Sequence, residues 1–228
     1  MRLHRFFVNF VIEHTKTTIK DEKLIHQWRD VFRYNIGSEV ILFDGSGNEY
    51  DSVIEKMNNR EAEVRLVSER KGIVPDKKIT LYQSLIKKDK MEWVVEKATE
   101  LGVYKIIPII SERSEKKSFN LERAKKIAIE ASEQCGRADV PEIGEIMNLE
   151  SGIMNYGKDT VIFDPSGSPL HNSYFINHNS FSVFIGPEGG WSEKELEIFK
   201  NANAKIYSLG KLILRAETAA IVAISKFS

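Results

Sequence analysis

Ile185-Gly-Pro-Glu-Gly-Gly190 follows the apolar, β-like run Phe181–Ile185 and leads into a helix-like segment. A second transition of the same kind is Leu209-Gly-Lys-Leu-Ile-Leu-Arg-Ala-Glu-Thr-Ala219, which follows Ile206–Leu209 and again opens a helix. In an open parallel sheet, ligands bind outside the carboxyl ends of the strands, so one ligand would meet both turns. The glycines let main-chain N–H and C=O groups approach it with no side chain in the way. Read so, the two turns outline a cofactor site. The plainer reading is strand-to-helix punctuation, in which Pro187 fixes φ, Gly189 and Gly190 accept unusual φ, and Ser192 with Glu195 forms a capping box. Arg215 and Glu217 favour a site, because they flank an apolar helix start where any solvated polar residues would suffice.

Working outward, the hydrophobic period alternates. Ile79–Ile86, Val103–Ile110, Val161–Phe163, Phe181–Ile185 and Ile206–Leu209 read as strands. One helix is expected where Asp89 and Glu92 read as a capping box, with Met91, Val94, Val95, Ala98 and Leu101 inward. Another opens at Asn120, with Leu121, Ala124, Ile127, Ala128 and Ala131 inward, and two more lie near Ser192–Asn201 and Glu217–Lys226. Strands alternating with helices imply an α/β fold, a parallel sheet with helices on both faces. The first 71 residues differ: Phe6–Val11, Glu39–Phe43, Glu49–Lys56 and Glu61–Glu69 are short strands. Asp21–Phe32 is a helix candidate with Leu24, Ile25, Trp28, Val31 and Phe32 on one face. Asp44-Gly-Ser-Gly-Asn48 reads as a hairpin loop and not a phosphate loop, since no Gly-Lys-Ser/Thr follows it. The expected organisation is a small β-barrel domain over residues 1–71 and an α/β domain over 72–228, divided at Lys71-Gly-Ile-Val-Pro-Asp76.

A chain of 228 residues accommodates two domains with sizeable cores, and 42% apolar with 29% charged residues describes a soluble globular protein. No apolar run approaches a membrane span, and Met1-Arg-Leu-His4 is not followed by a hydrophobic signal region, so the cytoplasm is the expected compartment. The single Cys135 excludes an internal disulfide and a thiol-rich zinc site, and reads as a small buried hydrophobe. His4, His14, His26, His171 and His178 are scattered and give no metal site. The G-x-G-x-x-G fingerprint is missing, which disfavours NAD. Trp28 and Trp93 read as core, and Trp191 as core or site.

Formal net charge is zero, which argues against indiscriminate nucleic-acid binding, but the charge is unevenly spread. Lys77 to Lys126 holds thirteen Lys/Arg against seven Asp/Glu, whereas Asp139 to Ser228 holds seven against eleven. Such a basic segment either steers a phosphate backbone or is simply solvated helix surface.

The two glycine turns, with Gln134-Cys-Gly-Arg137 and Met91-Glu-Trp-Val-Val-Glu-Lys-Ala-Thr-Glu-Leu-Gly102, resemble the bacterial RsmE family, and Met1-Arg-Leu-His-Arg-Phe-Phe-Val8 is similar to its opening. The resemblance covers essentially the whole chain. Members are SPOUT-superfamily methyltransferases that modify N3 of a uridine in 16S ribosomal RNA of the small subunit. The resemblance therefore implies S-adenosylmethionine as cofactor, a PUA-like RNA-binding domain over 1–71 and a SPOUT domain over 72–228. It further implies a trefoil knot holding the cofactor, and a homodimer in which each site is completed by the partner. Knots are otherwise essentially absent from proteins, and the hydrophobic pattern alone would give an unknotted Rossmann-like sheet. One departure stands: Lys211-Leu212 occupies the place of a second arginine near Ile213-Leu-Arg215.

Methyl transfer from a sulfonium needs alignment more than a metal or a covalent intermediate. Main chain at Ile185, Gly186, Pro187, Glu188, Gly189 and Gly190, and at Leu209 and Gly210, can supply amides to the cofactor. Leu209, Leu212, Ile213 and Leu214 can clasp the adenine, and Phe163 to Gly167 makes a third wall. Uridine N3 keeps its proton at neutral pH, so a base, or a cation beside O2 and O4, is called for. Arg215 is the first candidate to orient the base or a phosphate, its guanidinium held by Glu217, and Glu188 is a candidate base or cofactor contact. The structural alternatives are a mere Arg215–Glu217 ion pair and a turn residue at 188. N3 lies on the Watson–Crick edge, so the target must be unpaired or flipped out. His4, Arg5, Gln134 and Arg137 are candidate RNA contacts. Alternatively Gln134–Arg137 is a helix terminus, with Gly136 the stop and Arg137 at the negative dipole end. A SPOUT methyltransferase for another RNA position, and a non-enzymatic RNA-binding scaffold, are the competing functions. Gly186, Gly189, Gly190, Gly210 and Arg215 speak against the scaffold, which has no use for an open cleft.

Overall fold

The computed structural model describes residues 3–12, 15–154, 159–170 and 178–227. The chain forms two compact units, Met1–Val74 with Ser132–Asp139, and Pro75–Ala131 with Val140–Ser228. It is therefore not divided at a single point.

The first unit contains β1 (Arg5–Phe7), β2 (Lys16–Ile19), α1 (Glu22–His26), β3 (Glu39–Phe43), β4 (Asn48–Met57) and β5 (Ala62–Lys71). Its sheet runs β1-β3-β4-β5-β2, with β1 parallel to β3 and the other pairings antiparallel. The expectation was a small β-barrel; among the described residues no ladder joins β1 to β2, so in its hydrogen bonding the sheet is an open path. Asp21 caps α1 by accepting from the amides of Lys23 and Leu24 at 2.9 and 3.2 Å. The helix continues as a π-helical turn over Gln27–Val31, in which Phe32 N donates to Gln27 O at 2.9 Å. That extra residue in the turn swings Val31 outward to 65% exposure, although a period of 3.6 places it on the buried face. Leu24, Ile25 and Trp28 do enter the core, against Phe6, Val40, Leu42 and Ile54. β1 stops at Phe7 and leaves Val11 exposed, so the strand expected over Phe6–Val11 is shorter.

The segment Ser132–Asp139 completes this unit. Ala138 N donates to Ile73 O at 2.7 Å, and Phe7 N to the Glu133 carboxylate at 2.9 Å. Gly72 is required where the two pieces of chain meet, because a Cβ there would lie 2.3 Å from Ala138 Cβ.

The second unit contains β6 (Lys78–Ser84), α2 (Lys88–Glu100), β7 (Lys105–Ile110), most of α3 (Leu121–Cys135), β8 (Glu142–Ile143), β9 (Met147–Asn148) and α4 (Leu149–Met154). It continues with β10 (Thr160–Pro169), β11 (Ser180–Ile185), α5 (Glu193–Asn201), β12 (Lys205–Ser208) and α6 (Ala216–Ser225). The sheet runs β12-β10-β11-β6-β7-β8, with β9 also on β7, and every ladder is parallel. Met91, Val94 and Val95 of α2, Ala124 and Ala128 of α3, and Ala220, Ala223 and Ile224 of α6 pack with Ile79, Leu81 and Val183. Leu149 and Ile153 of α4 and Phe199 of α5 pack with Tyr82, Ile107 and Phe184, which alternate with those strand residues and so occupy the other face. Burial on both faces is why these strands read as unbroken apolar runs.

Two local expectations fail. α2 starts after Lys87 without a side-chain cap, and Glu92 instead lies 3.7 Å from both Lys88 and Arg123, so Asp89 and Glu92 form no capping box. Trp93 is 40% exposed and not core, because the inward stripe of α2 is taken by Met91, Val94, Val95 and Ala98. Among the described residues no helix is long and apolar enough to cross a membrane.

Candidate functional site

Three neighbouring strands are in register where the ladders on β11 finish: Gln83 of β6 pairs with Ile185 of β11, and Ile185 with Phe163 of β10, beyond which β10 pairs again only with β12. Beyond this point lies a cavity of about 690 Å³. Its walls are Phe163, Asp164 and Pro165 within β10, Ile185 at the end of β11 with the turn Gly186 to Trp191, Ile213 to Glu217 with Ala219 at the start of α6, and Lys87 and Lys90 at the start of α2. A smaller cavity of about 70 Å³ shares Phe163, Asp164, Pro165, Leu214 and Ala219, and adds Ser208, Leu209, Gly210 and Leu212. The fold thus gathers Phe163, Ile185, Gly186, Pro187, Glu188, Gly189, Gly190, Leu209, Gly210, Leu212, Ile213, Leu214, Arg215 and Glu217 around adjoining cavities.

The shape of the first turn follows from its sequence. Gly190 N donates to Pro187 O at 2.9 Å, and Gly190 has φ +68°, with no atom within 4 Å of where a Cβ would sit. Gly186 lies against the Trp191 indole, where a Cβ would be 3.2 Å from the ring. That indole is buried, and its Nε1 donates to Phe163 O at 3.1 Å, tying the turn to β10. The expected capping box is present: Glu195 N donates to Ser192 Oγ at 3.2 Å, and Ser192 N to the Glu195 carboxylate at 2.8 Å. The other Glu195 oxygen accepts from Glu112 N at 2.8 Å. Arg113 Nη1 donates to Gly189 O and Trp191 O, at 3.0 and 3.2 Å.

Both signs of charge line the larger cavity, with cations from Lys87, Lys90 and Arg215 and carboxylates from Asp164, Glu188 and Glu217. Arg215 is the N-cap residue of α6, is exposed, and makes no ion pair among the described residues. The expected pairing of Arg215 with Glu217 is not formed. Residues two apart at a helix start do not face each other, and Glu217, 8% exposed, lies 3.7 Å from Lys90 of α2 instead. Glu188 is exposed and accepts a long 3.4 Å hydrogen bond from Lys87 N. Asp164 accepts from Ser166 N and Oγ, at 2.9 and 2.6 Å. Lys87, Lys90 and Arg113 were not singled out from the sequence. The rule of carboxyl strand ends, applied to Ile79–Ile86, would have pointed to Lys87. Arg113 carried no such signal.

The four RNA candidates divide in two. His4 is exposed, with Nδ1 2.5 Å from the Tyr34 hydroxyl, and Gln134 is exposed on the last turn of α3. Arg5 and Arg137 are interior, contrary to the expectation of RNA contacts. Arg137 is 4% exposed and makes a two-pronged pair with Asp139 at 2.8 and 2.7 Å. Arg5 pairs with Glu49, donates to Arg137 O at 2.9 Å and lies over the Phe43 ring. Both guanidiniums are spent on holding the first unit together. Gly136, at φ +93°, does end α3. Among the described residues no three His, Cys, Asp or Glu side chains could hold a metal ion. His14 and His171, and Met1 and Arg2 of the opening motif, lie outside the described residues.

The family model described as an RNA methyltransferase domain matches residues 74–228, and that described as an RNA methyltransferase PUA domain matches residues 29–67. A protein named ribosomal RNA small subunit methyltransferase E from Rickettsia conorii is 32% identical over 234 residues, covering 99% of this chain and 95% of that one. Its namesake from Aquifex aeolicus is 34% identical over 185 residues, covering 78% and 80%. Among solved structures, a Legionella pneumophila methyltransferase with bound SAM matches with a TM-score of 0.92 at 29% identity, covering 100% of this chain and 97% of that one. The Neisseria gonorrhoeae ribosomal RNA small subunit methyltransferase E bound to S-adenosyl methionine matches with a TM-score of 0.84 at 28% identity, covering 98% and 96%.

Proposed function

The chain belongs to the ribosomal RNA small subunit methyltransferase E family, and on that premise we propose that it transfers a methyl group from S-adenosylmethionine to N3 of a uridine in 16S ribosomal RNA, in the cytoplasm. The observation that carries this reading is the 690 Å³ cavity at the carboxyl end of β11, beside Phe163–Pro165 of β10. Phe163, Ile185 and Leu214 give it apolar walls suited to an adenine, and the glycine turns leave main chain open to polar groups. Its rim carries carboxylates and cations together, which suits a ribose and a zwitterionic amino acid. The residues present fit the cofactor.

S-adenosylmethionine bound there supplies a methyl carbon already activated by its sulfonium. What remains for the protein is to align the uridine and to manage the N3 proton. Arg215, exposed and without an ion pair among the described residues, is available to draw negative charge onto O2 or O4 or to hold a phosphate. Glu188 is the acceptor for the N3 proton. Glu217 serves through Lys90, by fixing that ammonium at the rim. In this reading the first unit is the PUA-like RNA-binding domain and the second a SPOUT domain, with the chain through Leu209–Leu214 into α6 threaded as a trefoil knot. Leu212 and Ile213, 81% and 86% exposed, support a homodimer in which a second copy covers that loop. His4 and Gln134 remain the RNA contacts, and no metal takes part.

The test is transfer from labelled S-adenosylmethionine to small ribosomal subunits lacking the modification, with nucleosides resolved by mass spectrometry. 3-Methyluridine that is lost in Arg215→Ala supports both the reaction and the residue. Methylation elsewhere would keep the enzyme and replace its target. Neither binding nor transfer would leave an RNA-binding scaffold.

A further inference from the structure

We infer that Arg113 is a positioning residue for the cofactor turn, setting the shape of Glu188–Trp191 from the neighbouring loop; this rests on reading the larger cavity as the S-adenosylmethionine site. The loop that carries Arg113 is itself stiff. Ser114 N donates to Ser111 O at 3.1 Å, Ser111 N to Ser114 Oγ at 3.2 Å, the two hydroxyls are 2.7 Å apart, and both serines are buried. From this base two cross-links reach the chain around the turn, and in both the loop is the donor. Glu112 N donates outward to the Glu195 carboxylate, and Arg113 Nη1 donates to the carbonyls of Gly189 and Trp191.

The aliphatic stem of Arg113 lies alongside the turn, where a Cβ on Gly189 would meet it in ordinary van der Waals contact at 3.4 Å. Among the described residues the main chain of Pro187–Trp191 makes one hydrogen bond within itself, Gly190 N to Pro187 O. Two of its carbonyls are instead fixed by one exposed guanidinium belonging to another loop. Because Arg113 is exposed, the core does not depend on it, and its loss acts on the turn it holds.

The experiment compares the full-length protein with Arg113→Ala and Arg113→Lys, by calorimetric titration with S-adenosylhomocysteine, thermal melting, and methyl transfer to small subunits at several salt concentrations. Loss of two carbonyl contacts raises the Kd for S-adenosylhomocysteine in Arg113→Ala by about tenfold. The KM for small subunits stays within about twofold, the salt dependence is unchanged and the melting temperature is nearly so. Arg113→Lys recovers part of the affinity, since an ammonium lacks the planar fork. An unchanged Kd with a raised subunit KM and a shallower salt dependence would make Arg113 a phosphate contact and overturn the inference. An unchanged Kd with a lower melting temperature would reduce it to a structural residue and overturn it equally. Failure of the unsubstituted protein to bind S-adenosylhomocysteine would overturn the cavity reading, and is recognised before any substitution is compared.

Discussion

Gly167→Ala should damage this protein far more than Gly190→Ala, although only Gly190 has a backbone conformation that L side chains avoid. Gly167 lies in β10 where the strand resumes pairing with β12, after a register shift between Phe163 and Ser168. A Cβ at 167 would sit 2.5 Å from the carbonyl carbon of Tyr207 and 2.7 Å from its N and Cα. Carbon atoms rest at about 3.5–4 Å, so two backbones must part by roughly 1 Å. The Ser168–Tyr207 and Pro169–Ser208 pairings are the ones that would be strained. Overpacking costs about 1–3 kcal/mol, and each lost hydrogen bond about 1 kcal/mol more. A total near 2–4 kcal/mol lowers the melting temperature by roughly 5–15 °C for a chain of this size. At Gly190 the only cost is the left-handed φ, about 1–2 kcal/mol, and the stiffer unfolded chain returns about 0.4–1 of it. Differential scanning calorimetry reads both variants, and a cofactor titration shows whether Asp164–Pro165 and Leu209–Gly210, which wall the smaller cavity, have moved apart in Gly167→Ala. A Gly167→Ala protein that melts within about 2 °C of the parent, or a more damaged Gly190→Ala, would refute the steric argument.

Glu217→Gln and Lys90→Met should each lower kcat/KM for methyl transfer while the double variant is no worse than the worse single one; additive losses would show that the two side chains act separately. Because Lys90 is 40% exposed, neither change should cost more than about 1 kcal/mol of stability by denaturant titration. Burial pushes the Asp51 carboxyl up, but hydrogen bonds from Arg70 and Ser68 and the Arg70 charge outweigh it and hold the group below its ordinary value. A lowered carboxyl contributes stability that is full above the unfolded value of about 4 and is lost as pH falls through the folded value. Arg70→Met should therefore move acid unfolding, followed by tryptophan fluorescence, to higher pH; an unmoved midpoint would mean the pair contributes nothing. Gly72→Ala, whose Cβ would press on Ala138 and on Glu49 Cγ at 2.8 Å, should cost about 1–3 kcal/mol in urea unfolding, and an unchanged midpoint would show that the two strands of chain part freely.

The second unit was legible because strands buried on both faces leave solid apolar runs, and the run Phe181–Ile185 is closed by a glycine turn. β2, β8 and β9 were not, since runs of two to four residues carry no period. The walls of the cavity could be read from the carboxyl-end rule, but not the pairing of its charges. Arg215 and Glu217 are neighbours in sequence and point apart, whereas Lys90 reaches Glu217 from another helix. Arg5 and Arg137 looked like RNA contacts because nothing local tells a buried arginine from an exposed one. Their meeting spans 132 positions. Val31 was misplaced by one residue's worth of rotation in a π-helical turn, which leaves no mark on the hydrophobic pattern.

That the first unit is closed by Ser132–Asp139 also fixes when it can be finished during synthesis. Translation proceeds at roughly 5–20 residues per second, so residues 75–131 take several seconds to make after Val74 has been added. Through that interval Ile73 O and Phe7 N lack the partners they later find in Ala138 and Glu133. The nascent chain must hold an incomplete amino-terminal unit while β6, α2 and β7 are already leaving the ribosome. The two halves are therefore obliged to mature together, and the amino-terminal one cannot be settled first.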